Sequence, residues 1–358
     1  MLSNIFQSRS NWKPFHYPWA FEAGKVQNKM HWVPEEIPLH ADIKCWNNKL
    51  TPEERNLLTQ IFRFFTQADI DVASGYIDRY MPMFHHPELR TMMGSFTNME
   101  GIHIEAYSLL IDTVGMPESE YLAFTKYKEM ADKHQYINQE AFDIPSQESI
   151  YGCGDVFETD EEKAIWVERM EREFTYRVAL NIAVYSAFTE GLQLFSSFAI
   201  LLNFQRFKKM TGMCKIVEFS VKDESLHVDN MISVFRTIVE ENQWLMTPDF
   251  ANTLTDIGKD MVDLEDAFID LAFEQGGSKD LDKEDVKKYI RFVCNHRLVQ
   301  LGLQPVYDVT TNPLPWLDEI VGAVSHTNFF EQRSSDYAKA NYTGTWSDIW
   351  AKPPPKPN

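Results

Sequence analysis

Two tetrads, Glu100-Gly101-Ile102-His103 and Glu224-Ser225-Leu226-His227, are the only Glu-x-x-His sequences in the chain. On an α-helix this spacing sets a carboxylate and an imidazole on one face. Each tetrad trails an acid set in apolar surroundings: Asp69 stands 31 residues before Glu100, and Glu190 stands 34 residues before Glu224. Each interval is the length of one helical hairpin. A hairpin used twice, with an acid on its first helix and Glu-x-x-His on its second, is the ligand pattern of a four-helix carboxylate dimetal centre. Four carboxylates and two imidazoles suit a redox pair of iron or manganese, whereas a structural zinc favours four ligands rich in thiolate.

A lone Glu-x-x-His is ordinarily an exposed pair on a helix surface. Repetition and apolar surroundings argue otherwise here. Glu190 lies in residues 184–202, an almost continuous apolar run, where a carboxylate is costly unless a cation compensates it. Asp69 follows Ile61, Phe62, Phe64 and Phe65, but Asp71, two residues on, fits the same periodicity, so spacing leaves the two acids as rivals. Tyr107 follows His103 by four residues and therefore shares the ligand face of that helix.

The elements that must position these groups are helices. Helical apolar spacing recurs from about residue 51 to about residue 321, glycine is sparse at 15 residues, and no linker divides the chain of 358 residues. The expected organisation is an irregular N-terminal wrap over residues 1–50, a helical dimetal domain over 51–321 and a flexible C-terminal tail over 322–358. Thr51-Pro52-Glu53-Glu54 is a helix start, with a Thr cap, proline at the first helical position and Glu at the third. The Asp69 helix is expected to run to about Tyr80, and Pro87 to open the helix carrying Glu100, His103 and Tyr107. Residues 116–150 read as shorter helices and loops. A long helix from about Asp160 leads into the Glu190 helix, and Gly212 marks the turn into the helix bearing Asp223, Glu224 and His227. Gly276-Gly277 separates two later helices, the second capped by Asp282.

The net charge of −19 argues against nucleic acid or an anionic membrane surface as a partner. Residues 184–204 are the only stretch long enough to suggest a membrane span, and Glu190, Gln193 and several serines make a buried core helix the better reading. The N-terminus has no apolar region of a secretory signal, so a cytoplasmic location is expected. Cys45, Cys153, Cys214 and Cys294 form no Cys-x-x-Cys pair and read as reduced, buried thiols.

From His31-Trp32-Val33-Pro34-Glu35-Glu36 to Phe329-Phe330-Glu331-Gln332-Arg333-Ser334-Ser335-Asp336-Tyr337 the sequence resembles the small, radical-generating β subunit of class I ribonucleotide reductase. The most specific stretches are residues 99–110 and 221–227. The resemblance implies an all-α, ferritin-like bundle with a carboxylate-bridged dimetal site of iron, manganese or both in its core. It implies Asp69, Glu100 and His103 as ligands of one metal and Glu190, Glu224 and His227 as ligands of the other. It also favours Asp69 over Asp71, because the family's acid precedes its first Glu-x-x-His by 31 residues with Pro87-Glu88-Leu89 between them.

By the same resemblance Tyr107 stores a radical, Leu194 and Phe198 line the pocket that shields it, and Trp32 and Asp223 form an electron-transfer pair in which Asp223 bonds a ligand histidine, His103. Tyr337 passes the radical onward, the residues after it dock on a large catalytic subunit, and the helices form a homodimer. Some relatives keep the oxidising equivalent on the metals. The chain carries no credible cysteine pair for reducing a nucleotide, so the resemblance implies a subunit active only with its large partner. An independent dimetal oxidase would use the same six ligands but needs no radical exit through Tyr337. An iron-storage protein would want a shell-forming surface.

Overall fold

The computed structural model describes residues 2–144 and 157–326. Among the described residues all regular structure is helical. The α-helices are α1 (Pro18–Met30), α2 (His40–Asn48), α3 (Pro52–Ser74), α4 (Pro87–Thr113), α5 (Lys128–Ile137), α6 (Asp160–Ile182), α7 (Phe195–Asn203), α8 (Thr211–Glu241), α9 (Pro248–Ala272), α10 (Lys283–Gln300) and α11 (Pro315–His326). Two of them continue into π-helix, α3 through Gly75–Tyr80 and α6 through Ala183–Gln193. The expected tail begins at 322, but residues 322–326 continue α11; the rest of it, with Tyr337, lies outside the described residues, as does Cys153.

Local sequence explains where the site helices begin. Thr51 accepts from the Glu54 amide at 3.2 Å while Glu54 Oε2 accepts from the Thr51 amide at 3.0 Å, a reciprocal cap that starts α3. Helix α6 starts on the same device, built from Thr159 and Glu162. Helix α8 is capped from outside: Asp42 of α2 accepts from the amides of Gly212 at 3.1 Å and Met213 at 2.7 Å. Gly212 is a close-approach residue, since a Cβ there would stand 2.7 Å from Leu39 Cδ2 and 2.9 Å from the Pro38 carbonyl.

Helices α3, α4, α8 and the π segment after α6 pack against one another and enclose the centre of the molecule. The long helix Asp160–Phe207 has the length and hydropathy of a membrane span, but its most apolar window is 94% buried, as a core helix's is.

The N-terminal fifty residues differ from the expected irregular wrap. They contain α1 and α2, and α1 packs on both α4 and α8. Its buried face is Ala20, Ala23, Gly24 and Gln27, and a Cβ on Gly24 would meet the Met92 backbone at 3.3 Å. Small residues give a weak hydrophobic stripe, which is why periodicity missed a helix whose role is close approach.

Behind the π segment lies a buried ion pair. Lys133 Nζ stands 2.5 Å from Glu265 Oε2 with both side chains almost fully enclosed, and Ser196 donates to the other Glu265 oxygen. The ammonium also lies 3.7 Å from the centre of the Phe64 ring and 3.5 Å from the Gln193 carbonyl, at the end of the π segment. Lys133→Ala is expected to lower unfolding free energy by about 3–5 kcal/mol, because Glu265 is left as an uncompensated buried charge. Chemical denaturation measures this; a loss under about 1 kcal/mol would contradict the ion-pair reading.

Candidate metal centre

Two triads of buried side chains meet between the four site helices. Ligand-capable atoms of Glu100, His103 and Glu224 lie within 4.8 Å of one another, and so do those of Glu190, Glu224 and His227. Glu224 belongs to both. His103 Nδ1 lies 3.5 Å from Glu100 Oε2 and 3.2 Å from Glu224 Oε1. His227 Nδ1 lies 2.8 Å from Glu100 Oε1 and 3.8 Å from Glu224 Oε2. Each of these two glutamates therefore offers one oxygen to each imidazole, the disposition of a carboxylate that can bridge two cations.

The outer edges of both imidazoles are held. His103 Nε2 faces Asp223 Oδ2 at 3.1 Å, and His227 Nε2 faces Gln27 Oε1 at 3.1 Å. A donor at Nε2 fixes the tautomer whose Nδ1 lone pair points inward, the arrangement that orients a metal-ligating histidine. Gln27 also donates to Asp223 Oδ1 at 2.8 Å, so one amide from α1 ties both halves together. Nothing in the sequence around Gln27 signals this, because the contact spans about 200 residues.

Glu190 belongs to the second triad, whereas Asp69 belongs to neither. Asp69 is close enough to His103, Glu100 and Glu224 for their charges to act on it, while Tyr76 donates to Glu190 Oε2 at 3.2 Å. Asp71 is engaged elsewhere, accepting from Gln67 at 2.8 Å and lying 2.7 Å from His134 Nδ1. Glu190 sits inside the π segment, whose wider turn is seen in the Thr189 hydroxyl donating to the Val184 carbonyl five residues back. Next to it, Gly191 admits Arg297: the guanidinium donates to the Gly191 carbonyl at 2.8 Å, and a Cβ at Gly191 would stand 2.8 Å from Arg297 Nε.

The polar atoms facing inward are left without hydrogen bonds. They are Asp69 Oδ2, both Glu100 oxygens, His103 Nδ1, Glu224 Oε2 and His227 Nδ1. Buried polar atoms are otherwise nearly always partnered, so such a concentration of acceptors fits a cation pair. The electrostatics of the protein groups alone agree. Burial drives Asp69 and Glu190 well above the usual carboxylate range, and the charges of Glu224 and Glu100 push Glu190 further. Glu224 is raised by burial and by Glu100. Burial also opposes ionisation of Glu100, but the two imidazoles overcome it and hold that carboxyl at about 2. Burial disfavours a charged His103, yet Asp223, Glu100 and Glu224 hold it well above its ordinary value. Metal ions would take over this neutralisation.

Tyr107 lies beside the cluster, buried, with its ring stacked on Phe65 at 4.5 Å and 15°. Its hydroxyl donates to Ser220 Oγ at 3.3 Å. Burial, then the charge of Asp69, pushes the phenol far above its normal value, so it stays protonated. Phe198 stacks on Phe65 at 5.8 Å, and Leu194 is buried nearby in sequence. Nothing in the sequence marks Ser220, and Phe65 stands there only as part of an apolar run. Trp32 donates to Asp223 Oδ2 at 2.9 Å, and its ring lies 6.0 Å from that of His103. Trp32, Asp223 and His103 form one continuous hydrogen-bonded row.

The family model described as ribonucleotide reductase, small chain, matches residues 9–313. The chain belongs to this family. It is similar to a probable ribonucleoside-diphosphate reductase small subunit of Invertebrate iridescent virus 6, 41% identical, with 98% of this chain and 99% of the relative covered. A ribonucleoside-diphosphate reductase subunit beta of Chlamydia pneumoniae is 25% identical over 91% of this chain and 89% of its own. The fold is that of a ribonucleotide reductase R2 subunit from Clostridium botulinum, with TM-score 0.72 at 22% identity, covering 87% of this chain and 91% of that one. A dimanganese(II) protein of Streptococcus sanguinis superposes with TM-score 0.67 at 19% identity, covering 89% and 99% of the two chains. The small subunit is thus a ferritin-like helical bundle and part of an oxidoreductase that works with a large subunit.

Proposed function

We propose that this small subunit holds two redox metal ions, iron, manganese or one of each, and uses them to oxidise Tyr107 for export of a radical to the large subunit. Asp69, Glu100 and His103 would hold one ion and Glu190, Glu224 and His227 the other, with Glu100 and Glu224 placed to reach both. The observation that carries the reading is the set of inward-facing, unpartnered oxygens and nitrogens between two imidazoles whose outer edges are already fixed. When bound, the metals supply one-electron chemistry with an oxygen-derived oxidant.

The remaining work belongs to the protein. Phe65 and Phe198 keep water from the phenol of Tyr107, and the apolar wall preserves an oxidised ring from quenching. The row Trp32, Asp223 and His103 provides a hydrogen-bonded path for an electron between the buried indole and the centre. Tyr337 and the residues after it relay the radical and dock on the large subunit, and two copies associate as a cytoplasmic homodimer.

Deleting residues 338–358 is expected to leave metal content and the radical unchanged while weakening binding to the large subunit and abolishing nucleotide reduction in the mixture. Tyr337→Phe should keep binding and lose turnover, since phenylalanine cannot relay the oxidising equivalent. Pull-down and activity assays with the large subunit measure both. Nucleotide reduction by the isolated chain, or full activity of the truncated chain with its partner, would favour an independent oxidase.

A further inference from the structure

The hydroxyl of Tyr107 has one hydrogen-bond partner among the described residues, and that partner is neither a metal-ligand candidate nor a carboxylate. It is Ser220, buried on α8 one turn before Glu224, at 3.3 Å. A hydroxyl placed against Phe65 and its stacked neighbour Phe198 is costly without such a partner. A serine hydroxyl both donates and accepts, whereas an ionised carboxylate only accepts. This difference matters when the ring changes state. Oxidation takes one electron and the hydroxyl proton from the phenol, both accepted by the oxygen-derived oxidant, and leaves an oxygen that can only accept a hydrogen bond.

Resting on the radical reading above, we propose that Ser220 is a positioning residue for the Tyr107 radical: its hydroxyl accepts from the phenol and, after oxidation, turns to donate to the phenoxyl oxygen. The bond then tunes how strongly the radical is held and keeps the ring in one orientation between Phe65 and α8. Helix α8 carries Ser220 within two turns of Asp223, Glu224 and His227, so the group that positions the ring shares one helix with two of the metal-ligand candidates.

The test uses the metal-loaded full chain exchanged into deuterated water, with Ser220→Ala and Ser220→Thr beside it and metal content measured in all three. Electron–nuclear double resonance should find an exchangeable deuteron coupled to the radical in the unaltered protein, lose it in Ser220→Ala and regain it in Ser220→Thr. Ser220→Ala should also shift the radical's high-field g-values in the direction of a free phenoxyl. A radical without exchangeable coupling, or a coupling that survives Ser220→Ala, overturns this inference alone. No radical in metal-replete unaltered protein overturns the radical reading, and this inference with it.

Discussion

Tyr107→Phe is expected to give a folded, metal-replete protein with no organic radical and with nucleotide reduction at background when mixed with the large subunit. Phenylalanine preserves the ring that stacks on Phe65 at 4.5 Å and removes only the oxidisable phenol. The cost to folding is an unpaired Ser220 hydroxyl, about 1–3 kcal/mol, which a bundle of this size tolerates. EPR, metal analysis and activity together check the prediction. Full activity in this variant would place the stored oxidising equivalent on the metals.

The second large effect concerns the ligands. Glu100→Ala, His103→Ala, Glu190→Ala and His227→Ala should each lower dimetal occupancy, because each removes a group aimed into an enclosed site. Asp69→Ala belongs with them. Asp71→Ala should keep full occupancy, since Asp71 is committed to Gln67 and His134 on the outer side of α3. Asp223→Ala should weaken metal binding about 10–100-fold by releasing His103, the cost typical of losing the group that orients a ligand. Metal content after desalting measures all of these. Loss of metal in Asp71→Ala with retention in Asp69→Ala would show that the register along α3 is shifted.

What could be read from sequence was what sequence encodes locally. Thr51-Pro52-Glu53-Glu54 writes its own helix start, and the i, i+3 spacing of Glu100 with His103 and of Glu224 with His227 writes a shared face. Glu190 stood out because an acid inside an apolar run demands compensation. Gln27, Ser220 and Phe65 did not stand out, since their importance arises where α1, α8 and α3 meet helices remote in sequence. The π segment around Glu190 is equally hidden: its residues suit an ordinary helix, and the groups that meet its carbonyls at Gly191 and Gln193, Arg297 and Lys133, come from α10 and α5, remote in sequence. Helix α1 was missed because it packs through alanine and glycine, which carry little hydrophobic signal.

Metal analysis and EPR on the protein purified from its native cells decide whether the cluster is a redox dimetal centre. Two ions of iron, manganese or one of each per chain are expected, together with an organic radical signal that is absent from Tyr107→Phe. Zinc in the site, or no more than one bound ion per chain in protein that is otherwise folded, would contradict that reading.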